Sequence, residues 1–332
     1  MRRLAFATVL CSTLALPAAA ARPADDALAL VPPESVTAGM LRVSDLRTSP
    51  LAARLFADFD SAAVDGDAAK FLAEARLHPI DDVDLVVFAA QPGDKGNALV
   101  AFEGRFEPRR LSAAVAARGA EARTAPGGAY FLLADEEHPG RKDGAVAFVS
   151  NRLIVAGSED AVVKALAARA AGGSGFTGGA GLGAQLGKVD ANASGWLLVD
   201  RTKLPDAKGS LTLSGNGDPA RNVIGAMNLV SAFAFQMTVK GDSLRLSGAG
   251  YSDDAETREL LEDALRGILA AARIASEDKP EVVSAIRKFK VGSDRDAVTI
   301  AGTLDGATIR MLAEKKAQHE KARAAERKAP SQ

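Results

Sequence analysis

The chain has 332 residues, 47% of them hydrophobic and 25% charged, a balance that excludes a disordered chain and leaves room for two globular domains. Its 41 basic and 42 acidic residues give a net charge of −1, which excludes the strongly basic surface that a nucleic-acid partner requires. After residue 21 no apolar run approaches the roughly 18 residues of a membrane-spanning helix.

The chain starts with Met1, Arg2 and Arg3, continues uncharged and apolar over 4–16, and then places Pro17 before four alanines at 18–21. This is the pattern of an export signal, so residues 1–21 are read as a signal peptide cleaved after Ala21. Its removal takes the 41 basic residues to 39 against 42 acidic, a net charge of −3. The only cysteine, Cys11, lies inside the apolar stretch, with Leu10 where a lipoprotein signal carries Gly or Ala. The processed chain is therefore expected to have no thiol and no lipid anchor. It should reach a periplasmic or extracellular compartment held together by burial rather than by disulfides.

Residues 39–43 read as a first strand. Residues 85–90 are continuously apolar, as in a strand covered on both faces, and the polar turn 91–96 leads to a partner strand over 98–104. Pro108 marks a helix start, where its missing amide costs nothing, and Gly119 marks the end, where glycine relaxes the reversed backbone. Residues 146–157 form a further hairpin, and Ser158 offers its side chain as a cap to a helix over 159–171. Residues 172–192 are too glycine-rich for a helix and read as a linker, either flexible or an ordered loop.

The order then repeats. A strand over 195–199 precedes a hairpin in which Phe233, Phe235, Met237 and Val239 share one face. A long helix follows, with Leu260, Leu261, Leu265, Ile268 and Leu269 in one broad apolar stripe. The last hairpin ends at Thr303, read as the cap of a final helix, and residues 318–332 form a charged, disordered tail. A shift of 145 positions lays 146–158 on 291–303, Ala156, Gly157 and Ser158 on Ala301, Gly302 and Thr303, and Phe106 on Tyr251.

The expected fold is therefore α+β: two tandem copies of an antiparallel sheet unit with helices packed on one face. Each copy runs strand, helical insert, hairpin, helix, hairpin, helix. The copies span 28–171 and 193–317, on either side of the linker 172–192. Alanine-rich helices over 111–118 and 161–171 let helix and sheet approach closely, which predicts a tight core with the two units closed face to face.

Several motifs suggest chemistry, and each has a simpler structural explanation. Gly173, Gly175 and Gly178 fit a dinucleotide fingerprint, but a helix rather than a strand precedes them. Residues 183–188 resemble a phosphate loop that lacks one spacer and has Val189 in place of the hydroxyl residue. Ser276 and Lys279 stand at dyad spacing beside Pro280, which interrupts the helical turn a dyad needs. His78, His138 and His319 lie far apart, without metal-ligand spacing. Asp81, Asp82 and Asp84 suit the approach to a strand, and Asp294 and Asp296 suit a turn. Asp253, Asp254 and Glu256 fit the positive end of a helix macrodipole. Gly157 and Ser158 before a helix could cradle an anion, yet a bend and a cap explain them better, since a phosphate site would add a basic residue and the two copies share none there. Trp196 heads a strand, a common place for a half-buried aromatic. No nucleophile elbow is present, so no catalytic, cofactor-binding or metal-binding residue is assigned.

Residues 30–34 before the first strand, residues 151–164, the glycine linker and residues 193–200 resemble exported bacterial proteins grouped under a domain of unknown function. That resemblance implies a secreted or membrane-tethered envelope protein and brings no catalytic residues with it. The resulting expectation is a non-enzymatic binding or scaffolding module of the cell envelope, acting on an envelope protein or an apolar ligand. The alternatives are a carrier of an apolar ligand such as a lipid, and a hydrolase with a dispersed site.

Overall fold

In the computed structural model the described residues are 25–53, 67–92, 97–133, 144–173, 175–204, 228 and 230–315. The expected signal peptide 1–21 and tail 318–332 lie outside them. Twelve strands form one antiparallel sheet: β1 Thr37–Arg42, β2 Val83–Ala90, β3 Ala98–Gly104, β4 Glu121–Ala125, β5 Gly128–Leu133, β6 Gly144–Phe148, β7 Leu153–Gly157, β8 Gly195–Asp200, β9 Ala232–Lys240, β10 Ser243–Tyr251, β11 Lys290–Ser293 and β12 Ala297–Asp305. Their order across the sheet is β11-β12-β10-β9-β8-β1-β2-β3-β7-β6-β5-β4.

Among the described residues the helices are α1 Asp25–Leu28, α2 Val43–Arg47, α3 Asp67–Ala75, α4 Pro79–Asp82, α5 Pro108–Ala117, α6 Glu159–Ala170, α7 Ala255–Ile274, α8 Pro280–Arg287 and α9 over 306–315. Among the described residues no helix is long and apolar enough to cross a membrane.

The expectation of units closed face to face is corrected, because the halves join edge to edge. β1 pairs antiparallel with β8, setting Met40 opposite Trp196 and Ala38 opposite Leu198. A continuous ladder satisfies the backbone groups of both edges, which face-to-face packing would leave exposed.

The expectation of helices on one face is corrected too, since in the first half they cover both. On the first face α1 and α6 lie over Leu85, Val87, Leu99, Ala101, Leu153 and Val155. On the opposite face α3 and α5 lie over Val86, Phe102, Val146 and Ile154. Strands that are apolar at successive positions need cover on both sides.

The first half also holds a hairpin beyond the expected unit, β4 with β5, turned at Pro126 and Gly127. In the second half α7 packs Leu261 against Val230 and Val298, on the sheet face that α3 and α5 occupy.

Of the two readings of the glycine-rich segment, the structure has the ordered loop. Phe176 and Leu182 are fully buried in the main core, and Gly181–Lys188 forms a 3-10 helix. Gly181 takes φ +56, and a Cβ there would meet the Pro33 carbonyl oxygen at 1.8 Å, so only glycine fits.

Ser158 caps α6 as expected, accepting from the Ala161 amide at 3.3 Å. Thr303 does not act as a cap, since it lies within β12. Asp305 takes that role, accepting at 2.8 Å from the Thr308 amide, because the strand runs two residues further before turning.

A different helix end departs from the usual chemistry. After α3 the Leu77 amide donates to Leu72 O at 2.9 Å and the Arg76 amide to Ala73 O at 3.2 Å. This reversed closing turn normally carries glycine. Here Arg76 fills it at φ +49, the one non-glycine positive φ among the described residues, at a cost of about 1 kcal/mol.

Three aspartates link stability to pH. At Asp200 burial opposes ionisation, but hydrogen bonds from Thr202 and Lys203 outweigh it and lower the pKa. Thr257 lowers that of Asp254, and Lys288, followed by Thr308, lowers that of Asp305 well below the usual carboxylate range. A depressed folded pKa contributes stability that is present above the unfolded value of 3.8 and lost as the pH falls through the folded value. The urea midpoint is therefore expected to stay level between about pH 7 and 5 and to fall below about pH 4. A midpoint that rose on acidification would refute this assignment.

Candidate functional site

Antiparallel partners share a face, so the ladder registers define what lies on each side of the sheet. Among the described residues, no helix lies over the central strands on the face carrying α3, α5 and α7. Gly39 stands between Phe88 and Leu197, Gly195 between Leu41 and Met237, and Gly248 between Phe235 and Ile300. Glycines thus floor a groove whose walls are aromatic. The Phe88 ring lies over Gly39, where a Cβ would come within 2.2 Å of it, and the Phe289 ring lies over Gly302. The groove measures about 500 Å³, and Phe88 and Phe235 are 37% and 42% exposed in it. Residues 85–90 therefore lack cover on this side at Phe88, where two-sided burial was expected.

Beside this groove, under α3 and α5, lies a second space of about 580 Å³. Phe71 comes from α3 and Leu111 and Val115 from α5, while Phe102, Val146, Phe148, Ile154 and Ala156 rise from the sheet. Among the described residues Arg118 is the only polar one lining it. Its guanidinium stacks 5.3 Å from the Phe71 ring centroid, pairs with Glu74 and donates to Ala114 O at 3.2 Å, so it closes the rim with its charge already compensated. The expected tight core holds on the first face, where Leu99, Leu153, Val155 and Leu166 are at most 2% exposed. It does not hold on this face. The Phe71, Phe102, Phe106 and Phe148 rings stand around the gap, and small residues such as Ala120 and Ala156 do not fill it.

The other sequence candidates are dispersed. Lys279 pairs with Asp278 rather than with Ser276. The expected phosphate-loop lookalike is the 3-10 helix of the core, and the Lys188 ammonium lies 3.7 Å above the Tyr251 ring. Burial lowers the Lys188 pKa, opposed by the charges of Asp296 and Asp253. Asp254 caps α7, and Asp294 and Asp296 sit in the β11–β12 turn. Asp84 pairs with Arg47 at 3.2 Å. His78 is exposed before α4, whereas His138 and His319 lie outside the described residues. Among the described residues no three His, Cys, Asp or Glu side chains gather as a metal site would require. Trp196 is 5% exposed in the main core rather than half-buried. Sequence reasoning missed both cavities; the signals present were the glycines at 39, 195 and 248 and the phenylalanines at 88 and 235 on facing strands.

No family model matches the chain, and no curated protein matches it. Among solved structures it is similar to crystal forms of TP0453. Form I shares 10% identity over 87% of this chain and 96% of that one, with a TM-score of 0.44. Form III shares 9% over 84% and 94%, with a TM-score of 0.47.

Proposed function

We propose that this protein is an exported, non-enzymatic binding module of the cell envelope whose ligand is apolar and enters the cavity beneath α3 and α5. The observation that carries this reading is the cavity itself. Its volume of about 580 Å³ falls within the roughly 300–1,000 Å³ of small-molecule sites, and among the described residues its lining is apolar except at Arg118. Water in such a space finds almost no polar partner, so an acyl chain that displaces it gains at nearly every contact. A purely scaffolding role is the weaker reading, because a scaffold gains nothing from a gap that forfeits packing. Export rests on the sequence of residues 1–21.

The duplication belongs to the same proposal. β1-β2-β3-β7-β6 and β8-β9-β10-β12-β11 run in the same order outward from the β1–β8 junction, and α5 and α7 lie on the same face. If both halves descend from one unit, the first half has added β4 and β5 and enlarged its cavity, while the second kept a shallower groove.

Two measurements test the reading. Purified protein should enhance the fluorescence of the neutral dye N-phenylnaphthylamine, and hexadecanol should displace it. Native mass spectrometry of gently purified protein should show a co-purifying lipid mass, one per chain. Absence of both dye binding and a lipid mass would refute the carrier reading.

A further inference from the structure

The apolar cavity adjoins a second space of different character. A cleft of about 440 Å³ shares Leu77, Phe106 and Leu111 with it, so the two meet along one wall. The cleft is lined by Arg76, Arg105 and Arg152, with Asn151 beside them. Its two acids are already engaged. Asp82 accepts from the His78 amide at 2.8 Å, and Glu107 pairs with Arg110 at 3.1 Å. Arg105 donates one guanidinium nitrogen to Asp81 O. Among the described residues the Arg76 and Arg152 side chains have neither an ion pair nor a hydrogen bond.

We propose that this cleft binds the anionic headgroup of a single-chain amphiphile whose chain fills the adjoining cavity, an inference that rests on the apolar-ligand reading above. Charge complementarity argues for it: guanidinium forks match a carboxylate or phosphate, and each can direct two donors at its oxygens. Backbone strain argues for it independently. Arg76 occupies a closing turn in which glycine would be relaxed, so the strain is retained together with a side chain at the mouth of the cleft. The geometry also separates two roles. Arg118, paired with Glu74, only rims the cavity, while among the described residues Arg76 and Arg152 line the cleft without an ion pair, and with Arg105 they outnumber its two carboxylates, Asp82 and Glu107.

The test compares three ligands with the same chain, hexadecanoate, hexadecyl phosphate and hexadecanol, as displacers of N-phenylnaphthylamine from the full chain. Both acids are expected to bind at least about tenfold more tightly than the alcohol at low salt, with the preference shrinking as salt is added. Arg76→Gly and Arg152→Ala should each remove most of that preference and leave hexadecanol binding unchanged. Arg76→Gly should do so without lowering the melting temperature, because glycine relaxes the turn. The relative affinity of the two acids tells which headgroup the cleft prefers, and either order supports the proposal. Equal binding of acids and alcohol would overturn the headgroup inference and leave the apolar-ligand reading standing. An acid preference untouched by both substitutions would overturn its assignment to this cleft. Failure of all three ligands to displace the dye would overturn both.

Discussion

Trp196→Ala is expected to lower the unfolding free energy by about 3–5 kcal/mol, the range for emptying a buried aromatic site. Trp196 is the chain's only tryptophan and is 5% exposed. It lies on β8 directly opposite Met40 of β1, at the pairing where the two halves of the sheet meet. Its indole belongs to the same buried cluster as Leu198 and Ala234 of the second half and Leu85 and Val87 of the first. Truncation would leave a void that the flanking strands cannot close, because their ladders fix their spacing. A second aromatic provides the control. Phe235 lies one strand away on the opposite face and is 42% exposed, so Phe235→Ala should cost less than about 1 kcal/mol. Urea denaturation followed by circular dichroism measures both. If the tryptophan variant lost less than about 1 kcal/mol, the junction would not be the shared core described here.

Ala156→Phe should reduce apolar-ligand affinity at least about tenfold while leaving the fold intact. Ala156 precedes the Gly157–Ser158 bend on β7 and lies opposite Val146 on β6 and Val100 on β3. Its methyl group is part of the wall of the cavity under α5. A phenyl ring built from that wall enters empty volume, so overpacking stays at the low end of its usual range, about 1 kcal/mol. The same ring occupies the space that a chain would need. Ala120→Trp, at another wall of the cavity, should act in the same direction. Titration of N-phenylnaphthylamine together with a melting curve separates the outcomes. Full dye affinity in both stable variants would move the ligand out of this cavity and point to the central groove along Phe88 and Phe235.

Much of the local structure was legible in the residues. The two long hairpins could be placed from their turns, because alternation and polar turn residues act over a few positions and need no knowledge of the rest of the chain. Pro108 at the start of α5, Gly119 beyond its end and the Ser158 cap followed from single-residue backbone chemistry. Thr303 failed as a cap because the length of a strand depends on its partner. β12 pairs with β10 as far as Asp305, which carried the cap two residues further. The hairpin β4–β5 was not legible despite the turn signal of Pro126 and Gly127, because β4 is exposed along nearly its whole length and carries no apolar alternation.

The candidate site was less legible. An arginine in a glycine slot is visible only once the helix end is known. The glycine floor of the groove depends on register across four strands, and a lining built from residues far apart in sequence leaves no motif.

By itself, then, the sequence determined the α+β class, the positions of most strands and helices, and the weak net charge. These depend on periodicity, turn chemistry and composition, which act locally. Only the tertiary structure decided that the halves join through β1 and β8 into one sheet and that helices cover both faces of the first half. It also decided that an apolar cavity beside an arginine-lined cleft remains beneath α3 and α5. The physical reason is that edge pairing and the packing gap depend on which strand finds which partner and on how large rings meet across layers, and neither is encoded in any short stretch of chain.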